Sequence, residues 1–391
     1  MTRPTQGRIS TNALRHNLRL IRSRLRKETR VMGVVKANCY GHEASICLPI
    51  LCDAGIDIFG VATIGEAETL RQLGLDRRIV LLTTPFFSER SAFVTLDIEP
   101  LISDIETAQW LSATAEAAGK VLRAHIYIDT GMTRNGAKPE DAAHLTEKVA
   151  SLPGLHIQGL SSHFATSESL DRSFALRQSA TFDQVYRELC GTGWTFEDVH
   201  IANSGGILNF PEAHYTLVRP GLSLYGYHPL EELQATSGLE PVMSVKTAVS
   251  SLSKVPAKTS ISYGRRYFTE HDSVIATLPI GYGDGIMRLL TGKLDVLIAG
   301  KPFPVVGTIC MDEVMVNLGS NDSGTKVGEE VILIGRSGEM QITAWDIASR
   351  IGTIPYEITT AIANRLPRVI AEGSEEGVET ELNHAQQGTI E

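Results

Sequence analysis

The chain has 391 residues, 42% hydrophobic and 21% charged, with a formal net charge of −9; it is a globular composition too long for one ordinary core, so two domains are expected. The negative balance, with no long basic block, excludes a nucleic-acid-binding protein. Five cysteines without a CxxC pair, scattered histidines and no long apolar run exclude a disulfide framework, a metal site and a membrane span, and point to a reducing compartment, the cytoplasm.

Residues 12–26 are arginine-rich, with Leu14, Leu18, Ile21 and Leu25 on one helical stripe. A transit peptide shares that pattern, but a first domain helix capped near Ser10 or Thr11 fits better, because it leads directly into a strand. That strand, 31–35, is a short apolar run ending at Lys36, with Gly41 breaking the chain before a helical stretch. Strand-like and helix-like segments then alternate. Further strands are expected at 58–62, 78–83, 94–101, 121–128, 156–164, 199–204 and 217–225, with helices at 65–73 and 111–119 among those between them. Eight β/α units in about 230 residues predict a (β/α)8 barrel; an open doubly wound sheet is the competing architecture.

Near 235 the pattern changes. A turn-rich break at 236–238 precedes expected strands at 242–255, 274–279, 294–299, 305–311, 314–318 and 330–334, and a helix at 343–351. The organisation read from the sequence is therefore an α/β barrel over 1–235, a mostly β domain over 236–371, and a polar, acidic, mobile tail over 372–391.

In a barrel, chemistry gathers at the carboxyl ends of strands. Lys36 and Tyr40 follow the first expected strand, Arg134 the fifth, His163 the sixth, Asn203-Ser204-Gly205-Gly206 the seventh, and Arg219-Pro220-Gly221-Leu222 lies in the eighth. Small residues after strands seven and eight would let backbone N–H groups approach an anion. Each signal alone has a bland alternative: a solvated lysine, a structural histidine, a tight turn. Gly281-Tyr282-Gly283-Asp284-Gly285 lacks the spacing and setting of a dinucleotide fingerprint, and there is no G-x-S-x-G serine-hydrolase elbow.

Taken together, VVKANCYGH, DTGMTRNG, SHFA, ANSGG, VRPGLSLYG, SYG, PIGYGDG, VGTICMDEVMV and IPYE resemble, in order and approximate spacing, the alanine racemase family of fold-type III pyridoxal 5′-phosphate (PLP) enzymes. The resemblance spans residues 8–370. It implies PLP on Lys36, contacts to it from Tyr40, His163, Asn203, Ser204, Gly221, Leu222 and Tyr356, and Arg219 facing the pyridine nitrogen. It also implies Arg134, Cys310, Met311 and Asp312 near the substrate, Tyr282 and Arg288 at the entryway, and no metal. Lys36 and Tyr263 would be the two bases: Lys36 for the α-proton of the D-amino acid and Tyr263, from the other subunit of a homodimer with shared sites, for that of the L-amino acid. A free tyrosine titrates near about 10, so such a base needs cationic neighbours; His163 and Arg219 are the candidates. An arginine at the pyridine nitrogen disfavours ring protonation and would suppress transamination.

Two departures bear on specificity. Relatives often carry a lysine, sometimes carbamylated, where this chain has Tyr127, so Arg134 is positioned by the phenol, by a bound anion or otherwise, or Tyr127 is a packed strand aromatic. Thr133-Arg134-Asn135 replaces the commoner Gly-Arg-Leu, a polar change also met in broad-specificity racemases. The implied activity is interconversion of L- and D-alanine, supplying D-alanine for peptidoglycan. The alternatives are a broader amino-acid racemase, a non-catalytic PLP carrier, which would lack the C-terminal domain, and a basic-amino-acid decarboxylase, which would favour a carboxylate where Arg219 stands.

Overall fold

The computed structural model describes residues 3–371; the tail expected at 372–391 lies outside them. The chain forms two compact units, Leu14–Glu240 and Met1–Ala13 with Pro241–Glu391. The second unit is discontinuous because β1 (Gln6–Ile9) hydrogen-bonds to strands formed by the C-terminal part of the chain. The opening residues, grouped by sequence with the barrel, thus belong to the β unit. Helix Thr11–Ser23 follows, and Ser10 Oγ caps it by accepting the Ala13 N–H at 3.1 Å. Its stripe Leu14, Leu18 and Ile21 is buried. No helix among the described residues is long and apolar enough to cross a membrane.

The continuous unit is the expected barrel. Its strands are β2 (Arg30–Val34), β3 (Ile58–Val61), β4 (Arg78–Leu81), β5 (Ile98–Ile102), β6 (Leu122–Tyr127), β7 (Leu155–Ser161), β8 (Asp198–His200) and β9 (Leu217–Val218). They pair in parallel in the order β8-β7-β6-β5-β4-β3-β2-β9. The β8–β9 seam lacks a regular ladder. It is stitched by the Arg219 N–H to Ala202 O at 2.9 Å and by Thr216 Oγ1, which accepts the Val199 N–H at 2.7 Å.

Alternate strand residues share a face, and the inner face here is layered. Met32, Ile58, Val80, Leu101, Tyr127 and Leu217, one from each of six strands, form an apolar layer. Two residues earlier on their strands stand Arg30, Arg78, Glu99 and His125, with Asp198 and His200 on β8, and these groups bond to one another. The barrel therefore has a charged layer beneath an apolar one. Gly159 on β7 makes the room: a Cβ there would strike His125 Nδ1 and Asp198 O.

The discontinuous unit is mostly β. It comprises β10 (Met243–Ala248), β11 (Ser251–Val255), β12 (Ser260–Ile261), β13 (Tyr267–Phe268), β14 (Ser273–Leu278), β15 (Asp295–Ile298), β16 (Lys301–Val306), β17 (Val314–Asn317), β18 (Glu330–Ser337), β19 (Met340–Ile342) and β20 (Arg368–Ile370). The main path runs β11-β14-β17-β16-β15-β18-β10-β1-β20, with β19 on β18. β1 lies antiparallel to β10 and parallel to β20.

Several expected elements are corrected. The run 94–101 splits: Val94 and Thr95 end helix Arg90–Thr95, and β5 starts at Ile98 after Asp97 turns the chain at φ 49°. The run 217–225 yields only β9 as strand, because Pro220 offers no N–H and Leu222–Tyr225 closes into a 3-10 turn. The run 199–204 ends at His200, and Ser204 opens a helix. The run 242–255 breaks between β10 and β11, and 305–311 ends at Val306 where Gly307 adopts φ 71°. That strand also starts earlier than expected, at Lys301: Pro302 and Pro304 pair only with β15, and β17 joins only at Val305 and Val306.

Candidate active site

Lys36 is separated from the end of β2 by one residue, Val35, whose N–H still bonds Gly60 O at 2.9 Å. The next four residues, Ala37, Asn38, Cys39 and Tyr40, hold φ between 51° and 56°. A left-handed turn of non-glycine residues costs roughly 1–2 kcal/mol per residue, so surrounding bonds must hold it. Glu66 Oε1 accepts the Ala37 N–H at 2.7 Å, and its Oε2 accepts the Ala62 N–H at 2.7 Å. Asn38 Oδ1 accepts the Ala44 N–H at 2.7 Å, and Gly41, at φ 84°, closes the turn. Tyr40 stacks on Tyr225 with ring centroids 4.9 Å apart, and the Tyr225 hydroxyl donates to Val34 O at 3.0 Å. The turn thus fixes Lys36 at the barrel mouth and lays Tyr40 inward.

Tyr40 then meets the loop after β9. A Cβ on Gly221 would collide with the Tyr40 hydroxyl. Ser204 Oγ accepts N–H bonds from Gly221 at 3.0 Å and Ser223 at 3.2 Å, joining the loops after β8 and β9. Leu222 is buried beside them. Asn203 has its side chain engaged: Oδ1 caps helix Ser204–Asn209 through the Gly206 N–H at 2.9 Å and accepts the Ser167 hydroxyl at 2.7 Å.

Arg219 is 5% exposed. Its Nη2 donates to Ser162 O at 2.7 Å and to His163 Nδ1 at 3.0 Å; its Nη1 donates to His200 O at 3.0 Å and to His200 Nδ1. Burial pushes its pKa down to about 10, with Tyr127 opposing and Arg134 adding to the fall; it stays charged at neutral pH. Burial, then Arg219, Arg134 and Lys36, hold His163 well below its ordinary pKa, and a nitrogen that accepts from a guanidinium carries no proton. Burial and Arg134 also lower Lys36, against Glu66, with Arg219 adding to the fall. Lys36 Nζ makes no hydrogen bond or ion pair among the described residues.

Arg134 is exposed on a loop shaped by Asp129, whose Oδ1 accepts the N–H groups of Gly131 at 2.9 Å and Thr133 at 3.0 Å. Tyr127 is packed in the apolar layer, and no hydrogen bond joins it to Arg134 among the described residues. The barrel mouth thus gathers Lys36, Arg134 and Arg219 around one neutral imidazole, a setting for an anionic ligand.

The remaining candidates lie in the discontinuous unit. Tyr263, 73% exposed, stands between Ser262 at φ 65° and Gly264 at φ 72°. Its carbonyl accepts the Thr308 hydroxyl at 2.9 Å. Cys310 Sγ lies 3.5 Å from Ser262 Oγ. The N–H groups of Tyr282 and Gly283 bond Cys310 O and Met311 O, each at 2.9 Å. Buried Asp284 takes Arg3 at 2.6 Å and Arg365 at 2.9 Å, and Arg365 also reaches Asp312 at 2.9 Å. Tyr263, Tyr282, Cys310, Met311 and Asp312 are thus tied into one loop cluster. Arg288 is exposed on the turn Arg288–Leu290, and Tyr356 sits on helix Pro355–Ala361.

Comparison with known proteins decides the family. The alanine racemase N-terminal domain model matches residues 9–229, and the C-terminal domain model matches 242–370. The chain belongs to the alanine racemase family. It is 38% identical over 368 residues to alanine racemase 2 of Caldanaerobacter subterraneus subsp. tengcongensis, covering 94% of this chain and 95% of that one. The solved alanine racemase of Clostridium difficile 630 superposes with a TM-score of 0.91 at 34% identity, over 96% of this chain and 97% of that one. That of Bacillus anthracis, with bound L-Ala-P, gives 0.89 at 30% identity over the same shares.

This family member also carries a set of site-linked residues that sequence reading missed: Glu99, His125, Asp198 and His200, with Arg30, Arg78 and Arg123. The signal was there as charged or polar residues inside apolar strands: Arg78 and Glu99 each stand two positions before an apolar core residue, Val80 and Leu101, and polar residues recur two apart at Arg123 and His125 and at Asp198 and His200. Glu99, His125 and Asp198 are close enough to hold a metal ion. Their carboxylates already accept from Arg78 and Arg123 at 2.6–2.7 Å and from Arg30, so a divalent cation would be repelled there.

The buried imidazoles predict acid sensitivity. Burial first, then Arg219, hold His200 as well as His163 below the ordinary histidine value in the folded state. Above about pH 6.5 neither state binds protons at these rings. Below it the unfolded chain gains protons that the folded one refuses, so stability falls by about 1.4 kcal/mol per pH unit for each ring. Urea unfolding at pH 7.5 and 5.5 is expected to show a loss of about 2–3 kcal/mol; a flat profile would mean that the rings take up protons in the fold as readily as in the unfolded chain.

Proposed function

We propose that the protein interconverts L- and D-alanine using PLP linked to Lys36, and so supplies D-alanine for peptidoglycan. The observation that carries this reading is Lys36 itself: an amine of lowered pKa, without a bonded partner, facing Arg219 and His163 across the barrel mouth. The residues fit the cofactor. An amine of lowered pKa suits its aldehyde, the Gly221–Tyr40–Ser204 cradle with Leu222 suits its phosphate, and the Arg219 edge suits its ring nitrogen. When bound, PLP withdraws electrons from the substrate α-carbon. Arg219 would donate to the ring nitrogen and cannot give up its proton there, which would disfavour transamination. Arg134 binds the substrate carboxylate. Lys36 Nζ takes or returns the α-proton on one face, and the Tyr263 hydroxyl does so on the other.

The reading includes a homodimer, with Tyr263, Cys310, Met311 and Asp312 of each protomer serving the other's site. Support comes from the exposure of Tyr263 and of Met311, at 73% and 51%, on one loop cluster. Tyr356 completes the phosphate contacts, Tyr282 and Arg288 form the entryway, and Asn203 acts by capping the phosphate-side helix. The cytoplasm suits five free cysteines. One observation favours a broader substrate range: Asn135, next to Arg134, has a buried side-chain oxygen without a partner among the described residues, which could receive a substrate hydroxyl.

Purified protein with added PLP is expected to convert L-alanine to D-alanine, with Tyr263→Phe losing turnover but keeping cofactor. Bound cofactor without turnover on alanine would overturn the alanine assignment. Turnover on L-serine, L-lysine or L-arginine would then select the broader racemase, and failure on all would select the carrier.

A further inference from the structure

Arg219, His200, His125 and Glu99 form an unbroken file of hydrogen bonds inside the barrel. Arg219 Nη1 meets His200 Nδ1, His200 Nε2 meets His125 Nδ1 at 3.0 Å, and His125 Nε2 meets Glu99 Oε2 at 3.0 Å. Both histidines and Glu99 are buried to 1% exposure or less. The two ends fix every proton between them. A guanidinium only donates, so His200 Nδ1 is bare and its proton sits on Nε2. That N–H needs an acceptor, so His125 Nδ1 is bare and its proton sits on Nε2, donating to Glu99. A second proton on either ring would set two donors face to face. The file is therefore polarised one way, from the buried cation to the buried anion, through two neutral rings.

We propose that Glu99, His125 and His200 are positioning residues for Arg219: the carboxylate at the far end sets the tautomers of two neutral imidazoles, and these hold the guanidinium edge toward the cofactor ring. The proposal rests on the reading above only for the identity of that ring. A carboxylate in direct contact would occupy the same guanidinium donors and cancel their charge. Two neutral rings orient Arg219 and leave the charge in place. Stability alone would be served as well by apolar packing, since buried charge is costly. Glu99 is itself anchored, by Arg78 at 2.7 Å through both oxygens and by Arg123 at 2.7 Å, so the far end of the file is rigid.

The test compares His125→Gln with His125→Phe. An amide offers one acceptor and one donor at nearly the spacing of the ring nitrogens, and so preserves the file; a phenyl ring fills the space and breaks it. In cofactor-free protein labelled with 15N-histidine, His200 is expected to show a proton on Nε2 and none on Nδ1. His125→Phe is expected to weaken PLP binding and lower kcat by about tenfold, the size of effect seen when an outer partner of a binding group is lost. KM for alanine should be little changed and conversion of the cofactor to its pyridoxamine form should rise. His125→Gln should stay near the parent protein. A proton on His200 Nδ1, or equal PLP affinity in the two variants, overturns the proposal. If His125→Phe does not fold, the histidine spectrum of the parent protein decides. If the parent does not racemise alanine, the proposed reaction fails while the spectrum and PLP affinity still judge the file.

Discussion

Lys36→Ala protein, purified with PLP, is expected to lack the absorbance band of lysine-bound cofactor and to racemise alanine roughly 10²–10⁴-fold more slowly, the usual contribution of a positioned proton-transfer group. Two functions fall together, attachment of the cofactor and proton transfer on one face. The variant should fold, because Lys36 Nζ bonds to nothing in the described protein and the turn behind it is held by Glu66 and Asn38. Gel filtration and circular dichroism unchanged from the parent would confirm that the loss is chemical. Retention of the band would place the attachment on another lysine and sink the assignment. Lys36→Arg should fare no better, since a guanidinium does not deprotonate near neutral pH.

Asp198→Ala should have the largest effect on stability, about 3–5 kcal/mol, the cost of removing one partner from a buried ion pair. Asp198 is fully buried, and its oxygens take Arg78 at 2.6 Å and Arg30. Without it, Arg78 keeps Glu99, but Arg30 is left with Glu197 at the rim, 2.9 Å away. A drop in the urea midpoint with an unchanged slope would be read as this cost. Asp198→Asn should fall between, because one acceptor remains. A loss below about 1 kcal/mol, the worth of an exposed pair, would mean that water reaches this layer.

The barrel and the lysine at its mouth were legible because both rest on local rules. A two-face-buried strand reads as an apolar run, and a charged residue at its carboxyl end stands out. The layer beneath was not legible in the same way. Arg78, Glu99, His125 and Asp198 each look like an ordinary polar residue at a strand edge until closure of the sheet brings them together. β1 was missed for a related reason: Gln6–Ile9 has no pattern of its own and becomes a strand only through partners more than 230 residues away. The expected strand at 305–311 caught only the end of β16, whose first four residues include Pro302 and Pro304, prolines that pair with one neighbour only. The loop cluster around Tyr263 was visible as motifs, but Arg3, which braces it through Asp284, was not.

The discontinuity of the β unit also sets an order of events during synthesis. Among the described strands β1 leaves the ribosome first, yet its neighbours β10 and β20 come after the whole barrel. At about 5–20 residues per second, the stretch between β1 and β10 takes roughly 10–50 s to make. The barrel segment, complete by Glu240, can fold vectorially in that interval. Until then β1 has both edges open, a state that invites mispairing in a long apolar strand. Four residues, one of them Arg8, keep that risk small. The last turn of the wheel is β20: until Arg368–Ile370 emerges, one edge of the first strand has no partner, so the final native pairing joins the two ends of the described chain.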